Sequence, residues 1–146
     1  MVYLMLESGL RVDEVRKTNI QDIEITERKG NIRVIGKWNK ERIIPLSSDT
    51  RRAINKYLDT RRDNNEALFL SNRNSRISKR MIQTIVENHG FNAHKLRHTF
   101  ITRLVREGTD FSLIKSLSGH ESMDMVARYS KASQEDKENA IKNIFG

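Results

Sequence analysis

Gly30-Asn31-Ile32-Arg33-Val34-Ile35-Gly36-Lys37-Trp38-Asn39-Lys40-Glu41-Arg42-Ile43-Ile44-Pro45-Leu46 is the stretch that decides the fold. Gly30-Asn31 reads as a turn between two β-rich runs. Ile32 to Ile35 is a strand, Gly36 to Lys40 a tight connection, and Arg42 to Leu46 the returning strand. Pro45 is the one proline of the chain, and it has no N–H for a ladder. The second strand therefore ends there or lies at a sheet edge. Just upstream, Ile20, Ile23 and Ile25 bring in the alternation of a β-strand.

Outward from this hairpin the pattern turns helical. Residues 2–8 are apolar and helical, Gly9 interrupts, and Val12 to Val15 carry a short helix with Glu14 in its first turn. Downstream, Ser47-Ser48-Asp49 caps a helix through Leu58, with Ala53, Ile54, Tyr57 and Leu58 on one face. Asn64-Asn65 begins a loop, and Leu68-Phe69-Leu70 is a short buried run. Ser78 caps a helix with Met81, Ile82, Ile85 and Val86 on one side, and His89-Gly90 ends it. His94 to Val105 is the next helix, closed by Gly108. Thr109 or Asp110 opens another, bearing Phe111, Leu113, Ile114 and Leu117, which Gly119 breaks. A short segment runs through Met125 and Val126 to Tyr129, and Ser133 caps a last polar helix toward Ile144 and Phe145. The expected fold class is α+β, predominantly α-helical, with a small antiparallel β-sheet near the N-terminus.

The 146 residues suit one domain, with charged side chains making up 32% and a formal net charge of +8. Such an excess favours a polyanionic partner, because each Lys or Arg that meets a phosphate releases condensed counterions. The absence of cysteine removes disulfides, thiolate zinc sites and cysteine nucleophiles, and fits a cytoplasmic setting. No apolar run reaches the ~18 residues of a membrane span, so no membrane partner is expected. The apolar start, Met1 to Leu6, is a poor signal peptide and reads as a helix already packed where the chain begins. That suggests a fragment whose natural beginning lies upstream.

Chemistry-bearing residues recur at informative spacings. In His94-Lys95-Leu96-Arg97-His98, positions three and four apart share a helix face, so His94, Arg97 and His98 cluster. The same spacing resembles a zinc-protease helix, but Lys95 stands where that chemistry needs a glutamate. A basic helix with His98 packed inward is the plainer alternative. Gly119-His120 is followed nine positions later by Tyr129. A phenol titrates near ~10 and needs hydrogen bonds and positive charge to act as a nucleophile. Arg11 follows Ser8-Gly9-Leu10 at a turn into a helix, where a planar guanidinium can grip two phosphate oxygens. Glu14 could pair with it or fix its backbone. Lys37 lies at the hairpin tip with Lys40 and Arg42 nearby, where it could set an ammonium group against DNA.

The order of these groups resembles that of the tyrosine recombinases, the phage integrase family. Glu7 to Val15 is similar to the first arginine box, Arg33 to Leu46 to the lysine-bearing β-hairpin, and His94 to Phe100 to the His-x-x-Arg-His box. Gly119-His120 and Tyr129 match the closing histidine and tyrosine. The resemblance covers residues 7 to 129. It implies a recombinase catalytic domain spanning residues 1–146, lacking an N-terminal DNA clamp and the start of the catalytic domain. It also implies catalytic roles for Arg11, Lys37, His94, Arg97, His120 and Tyr129, with Lys40 a rival to Lys37. Lys40, Arg42, Lys79, Arg80 and Lys95 are expected at the DNA. The family departs here at Trp38, where glycine is frequent, and at Ser118, where an apolar residue is usual; the latter change is expected to alter packing more than chemistry.

The reaction so implied cuts and rejoins double-stranded DNA through a 3′-phosphotyrosyl link at Tyr129, with no cofactor and no metal. A homo-oligomer, a tetramer on DNA joined through the C-terminal tail, is expected with it. The rivals are a type IB topoisomerase, a non-catalytic helical DNA-binding module, and a metalloprotein built on His94 and His98. Tyr3 and Tyr57 match no nucleophile position and are expected in packing.

Overall fold

The computed structural model describes residues 1–120 and 134–146. The expected segment through Met125, Val126 and Tyr129, and the Ser133 cap, lie outside the described residues. Helices α1 (Val2–Ser8) and α2 (Val12–Lys17) precede strands β1 (Ile23–Ile25), β2 (Gly30–Ile35) and β3 (Glu41–Pro45). Helices α3 (Ser48–Leu58), α4 (Lys79–Asn88), α5 (Ala93–Arg106), α6 (Phe111–Ser118) and α7 (Gln134–Phe145) follow.

Among the described residues the strands form one antiparallel sheet in the order β1-β2-β3. The register pairs Ile32 with Ile44 and Val34 with Arg42. Ile32, Val34 and Ile44 are thereby buried together, while Arg33 and Ile43 face outward. Pro45 closes the edge strand β3, where its missing N–H costs no ladder bond. The β1–β2 turn falls earlier than the Gly30-Asn31 signal suggested. Thr26 N–H donates to Lys29 O at 2.7 Å, and Gly30 is already paired with Ile25. Gly30 serves close packing instead: a Cβ there would lie 2.8 Å from Arg51 Cδ.

The helix starts follow side-chain caps. Ser47 accepts from Thr50 N–H, Ser78 from Met81 N–H, and Asp110 from the Ser112 and Leu113 N–H groups. Asp110, not Thr109, is the cap of α6. Helix α5 begins one residue before His94, because Asn92 caps it through Lys95 N–H at 3.1 Å.

The main core joins Leu4, Met5 and Leu10 to the inner face of the sheet and to Ile54, Leu68, Ile82 and Val86. Each such side chain contributes ~1.5–3 kcal/mol by leaving water. A smaller cluster of Phe100, Ile101 and Ile114 fixes α6 on α5. Since α6 also packs on β3, its C-terminal end is brought beside both the hairpin and α5. Some apolar residues lie elsewhere than the pattern indicated. Met81, Leu113 and Tyr3 are exposed, although Tyr3 borders a small cavity with Leu4, Ala53 and Tyr57; Tyr57 does pack, against Phe69. Among the described residues, no helix is long and apolar enough to cross a membrane.

Candidate active site

Arg97 sits on the buried face of α5, one turn above its start, and is 6% exposed. A cation there must be compensated. Its Nη1 donates to Gly9 O, and its Nη2 to Ser118 O at 2.8 Å. Both carbonyls lie at helix C-terminal ends, where unpaired carbonyls concentrate negative potential. Left-handed glycines at 9 (φ 66°) and 119 (φ 72°) end these helices. A Cβ on Gly9 would come within 2.3 Å of the Phe100 ring, so α1 and α5 could not close around Arg97 with any other residue there.

Arg11 is held by its backbone. Its N–H donates to Glu14 Oε1 at 2.8 Å, while its side chain stays 40% exposed and lies 3.9 Å from Glu14 Oε2. The main partner of Glu14 is Arg42, which donates to both carboxylate oxygens and, through Nε, to Leu117 O at 2.9 Å. Burial alone would raise the Glu14 carboxyl, but the Arg42 hydrogen bonds and charge hold it below the usual carboxylate range. Arg42, expected at the DNA, has a side chain 10% exposed that fastens the hairpin to α2 and α6, and it also borders the groove of Lys37, Lys40 and His120.

His120 is buried, and its Nδ1 lies 2.6 Å from Ser118 Oγ. Burial, then the cations of Arg97, Arg11 and Arg42, bring its pKa down to about 4. The ring is therefore neutral near pH 7. Ser118, expected to affect packing more than chemistry, touches both Arg97 and His120.

Lys37 stands at the exposed hairpin tip. Trp38 (φ 61°) and Asn39 (φ 58°) are both left-handed there, and Lys40 N–H closes the turn on Lys37 O. Left-handed backbone is uncommon for so bulky a residue as Trp38. The Lys37 ammonium lies 5.6 Å from the centre of the Trp38 ring.

Adjoining grooves connect these groups. One of about 600 Å³ runs between Arg11, Lys37, Trp38 and Gly119. Arg11 also borders a second, of about 410 Å³, with His94, Arg97 and Lys79. Lys37 borders a third, of about 300 Å³, with Lys40, Lys115 and His120. The structure thus gathers Arg11, Lys37, His94, Arg97 and His120 along one basic strip. Lys115 and Ser118 are members that sequence reasoning missed; the helical face of α6 was the available signal for Lys115.

His94 is exposed and His98 half-buried, their ring centres 4.4 Å apart. Burial, His94 and Arg97 push the His98 pKa down. Among the described residues no group of three or more His, Asp or Glu side chains is placed to hold a metal ion. Lys79, Arg80 and Lys95 are exposed, with Lys79 3.5 Å from Asp13 Oδ1. Tyr129 lies outside the described residues.

A strip of fixed guanidinium, ammonium and imidazole groups is suited to binding a phosphodiester and stabilising charge that grows on its oxygens. Comparison with known proteins identifies the family. The phage integrase family model matches residues 1–136. The tyrosine recombinase XerC of Pelobacter propionicus is 39% identical over 139 residues, covering 88% of this chain and 45% of that protein. The chain spans about half the length of the curated relatives it matches. Among solved structures, XerA recombinase superposes with a TM-score of 0.81 at 26% identity, covering 99% of this chain and 56% of that one. XerH recombinase bound to its difH substrate in a pre-cleavage complex shares the fold, with a TM-score of 0.77 at 22% identity, over 99% of this chain and 46% of that one. The chain belongs to the phage integrase family, the tyrosine recombinases, and has the fold of their catalytic domain.

Proposed function

We propose that this chain is the catalytic part of a site-specific DNA recombinase that cleaves and rejoins double-stranded DNA through Tyr129. The Tyr129 phenolic oxygen attacks the scissile phosphorus, and the bond from phosphorus to the 5′ oxygen breaks. Arg11 and Arg97 bind the non-bridging oxygens, where charge develops. His120 adds a hydrogen bond, and His94 accepts or organises the phenolic proton. Lys37, with Lys40 as the alternative, protonates the departing 5′ oxygen. The products are a 3′-phosphotyrosyl link and a 5′ hydroxyl. A 5′ hydroxyl from a partner strand reverses the step, and since the phosphodiester energy is kept in the link, no nucleotide hydrolysis is needed.

The observation that supports this reading is that Arg97 and His120 meet at Ser118, Arg11 and Arg97 border one groove, and Lys37 and His120 border the adjoining one. The exposed cations Lys79, Arg80 and Lys95 position the DNA through its phosphates. Helix α7 exposes Ile141, Ile144 and Phe145, and this apolar end docks on a neighbouring protomer in a DNA-bound tetramer. The protein acts in the cytoplasm.

The test is incubation of the full-length protein with a nicked suicide substrate, followed by mapping of the modified peptide. A covalent adduct at Tyr129, absent in Tyr129→Phe while DNA binding persists, is the expected result. An adduct that survives in Tyr129→Phe sinks the nucleophile assignment. Gel shifts with no adduct in the unaltered protein identify a binding module. Relaxation of supercoils without exchange between paired sites identifies a topoisomerase.

A further inference from the structure

We infer that Ser118 is a positioning residue for DNA cleavage, its hydroxyl holding His120 as the ring protonated on Nε2. The inference rests on the function proposed above, but the ring state it assigns is read without DNA. Ser118 is fully buried, and its Oγ lies 2.6 Å from His120 Nδ1. The same oxygen lies 3.4 Å from the His120 amide, which donates to it. A neutral imidazole has one nitrogen that donates and one that accepts. A phosphate oxygen only accepts, so the ring serves it only if the nitrogen facing it carries the proton. With Nε2 protonated, Nδ1 needs a donor, and a serine hydroxyl supplies one.

The position of Ser118 gives the contact a second consequence. Its carbonyl takes Arg97 Nη2 at 2.8 Å, so one residue sets both the guanidinium and the imidazole. Gly119, left-handed with its Cβ position 2.7 Å from Arg42 Nη1, turns the chain tightly enough to bring the His120 ring back onto the Ser118 hydroxyl. An apolar residue at 118 keeps the carbonyl and the arginine contact but leaves Nδ1 without this partner. Ser118→Ala therefore separates the two roles.

The experiment is ¹⁵N NMR of the full-length protein labelled at histidine, with the His120 signals identified by their loss in His120→Gln. This chain contributes four histidines, and His120→Gln removes the signals of one of them. At neutral pH the unaltered protein should show a protonated Nε2 and a bare Nδ1. Ser118→Ala should show a mixture of the two ring forms, and its single-turnover cleavage should fall on the order of tenfold, the scale of one hydrogen bond. Ser118→Thr, which keeps the hydroxyl, should restore both. A proton on Nδ1 in the unaltered protein, or the same ring signature in Ser118→Ala, overturns the inference. So does an unchanged cleavage rate in Ser118→Ala. Should the unaltered protein form no adduct, the Tyr129 reading fails by itself, because the ring signature is measured without DNA.

Discussion

Arg42 donates to both carboxylate oxygens of Glu14, at 2.5 Å from Nη1 and 3.0 Å from Nη2. The pair ties the hairpin to the helix that follows Arg11, and Arg42 Nε reaches on to Leu117 O at the end of α6. Three of the segments that furnish the basic strip are thus registered by one buried ion pair. The pair sits behind the strip and keeps Arg11 at the groove through its backbone.

Removing one member of this pair leaves an uncompensated charge in the interior. Arg42→Ala should destabilise the domain by about 3–5 kcal/mol in urea unfolding. The double variant Arg42→Met with Glu14→Leu should lose clearly less than the two single changes added together. Strict additivity would mean that the pair carries no coupling and does not hold the segments together.

Arg97 couples structure to chemistry. Arg97→Ala should slow single-turnover cleavage by roughly 10²–10³, the scale of one lost oxyanion donor. Arg97→Lys should recover little, because a single ammonium cannot reproduce a planar fork that bonds Gly9 O and Ser118 O at once. Cleavage by Arg97→Ala at the unaltered rate would remove it from the catalytic group.

His120 makes stability depend on pH in a stated direction. Its pKa is about 4 when folded, against ~6.5 for a free histidine. Above pH ~6.5 both states are neutral and the folded state loses nothing. As pH falls from there toward 4, the unfolded chain binds a proton that the folded chain refuses, and stability drops. His98, also lowered, acts in the same sense, so the comparison is with His120→Gln. That variant should show a shallower loss over this pH range in chemical denaturation; an identical slope would show that His120 titrates normally in the folded protein.

The local elements were legible in the amino-acid order because short-range rules govern them. Alternating isoleucines and valines mark β2 and β3, Ser47 and Ser78 mark helix starts, and Pro45 marks an edge. The spacing of His94, Arg97 and His98 follows from one turn of helix, and their face could be named in advance. The turn at residues 26–29 could not, since Gly30 is a glycine for the sake of Arg51, a neighbour brought up only by folding.

What the residues alone determined was the set of groups available for phosphate chemistry and their order along the chain. Tertiary structure decided what each cation does. Arg11 and Arg42 look alike as basic residues near glycines, yet one stays half in solvent and the other is enclosed with Glu14. Ser118 meets a guanidinium 21 positions away, a partner no local pattern names. The reason is physical: which charge leaves water, and which carbonyl or carboxylate receives it, depends on how α5, α6 and the hairpin pack, and periodicity carries no information about that.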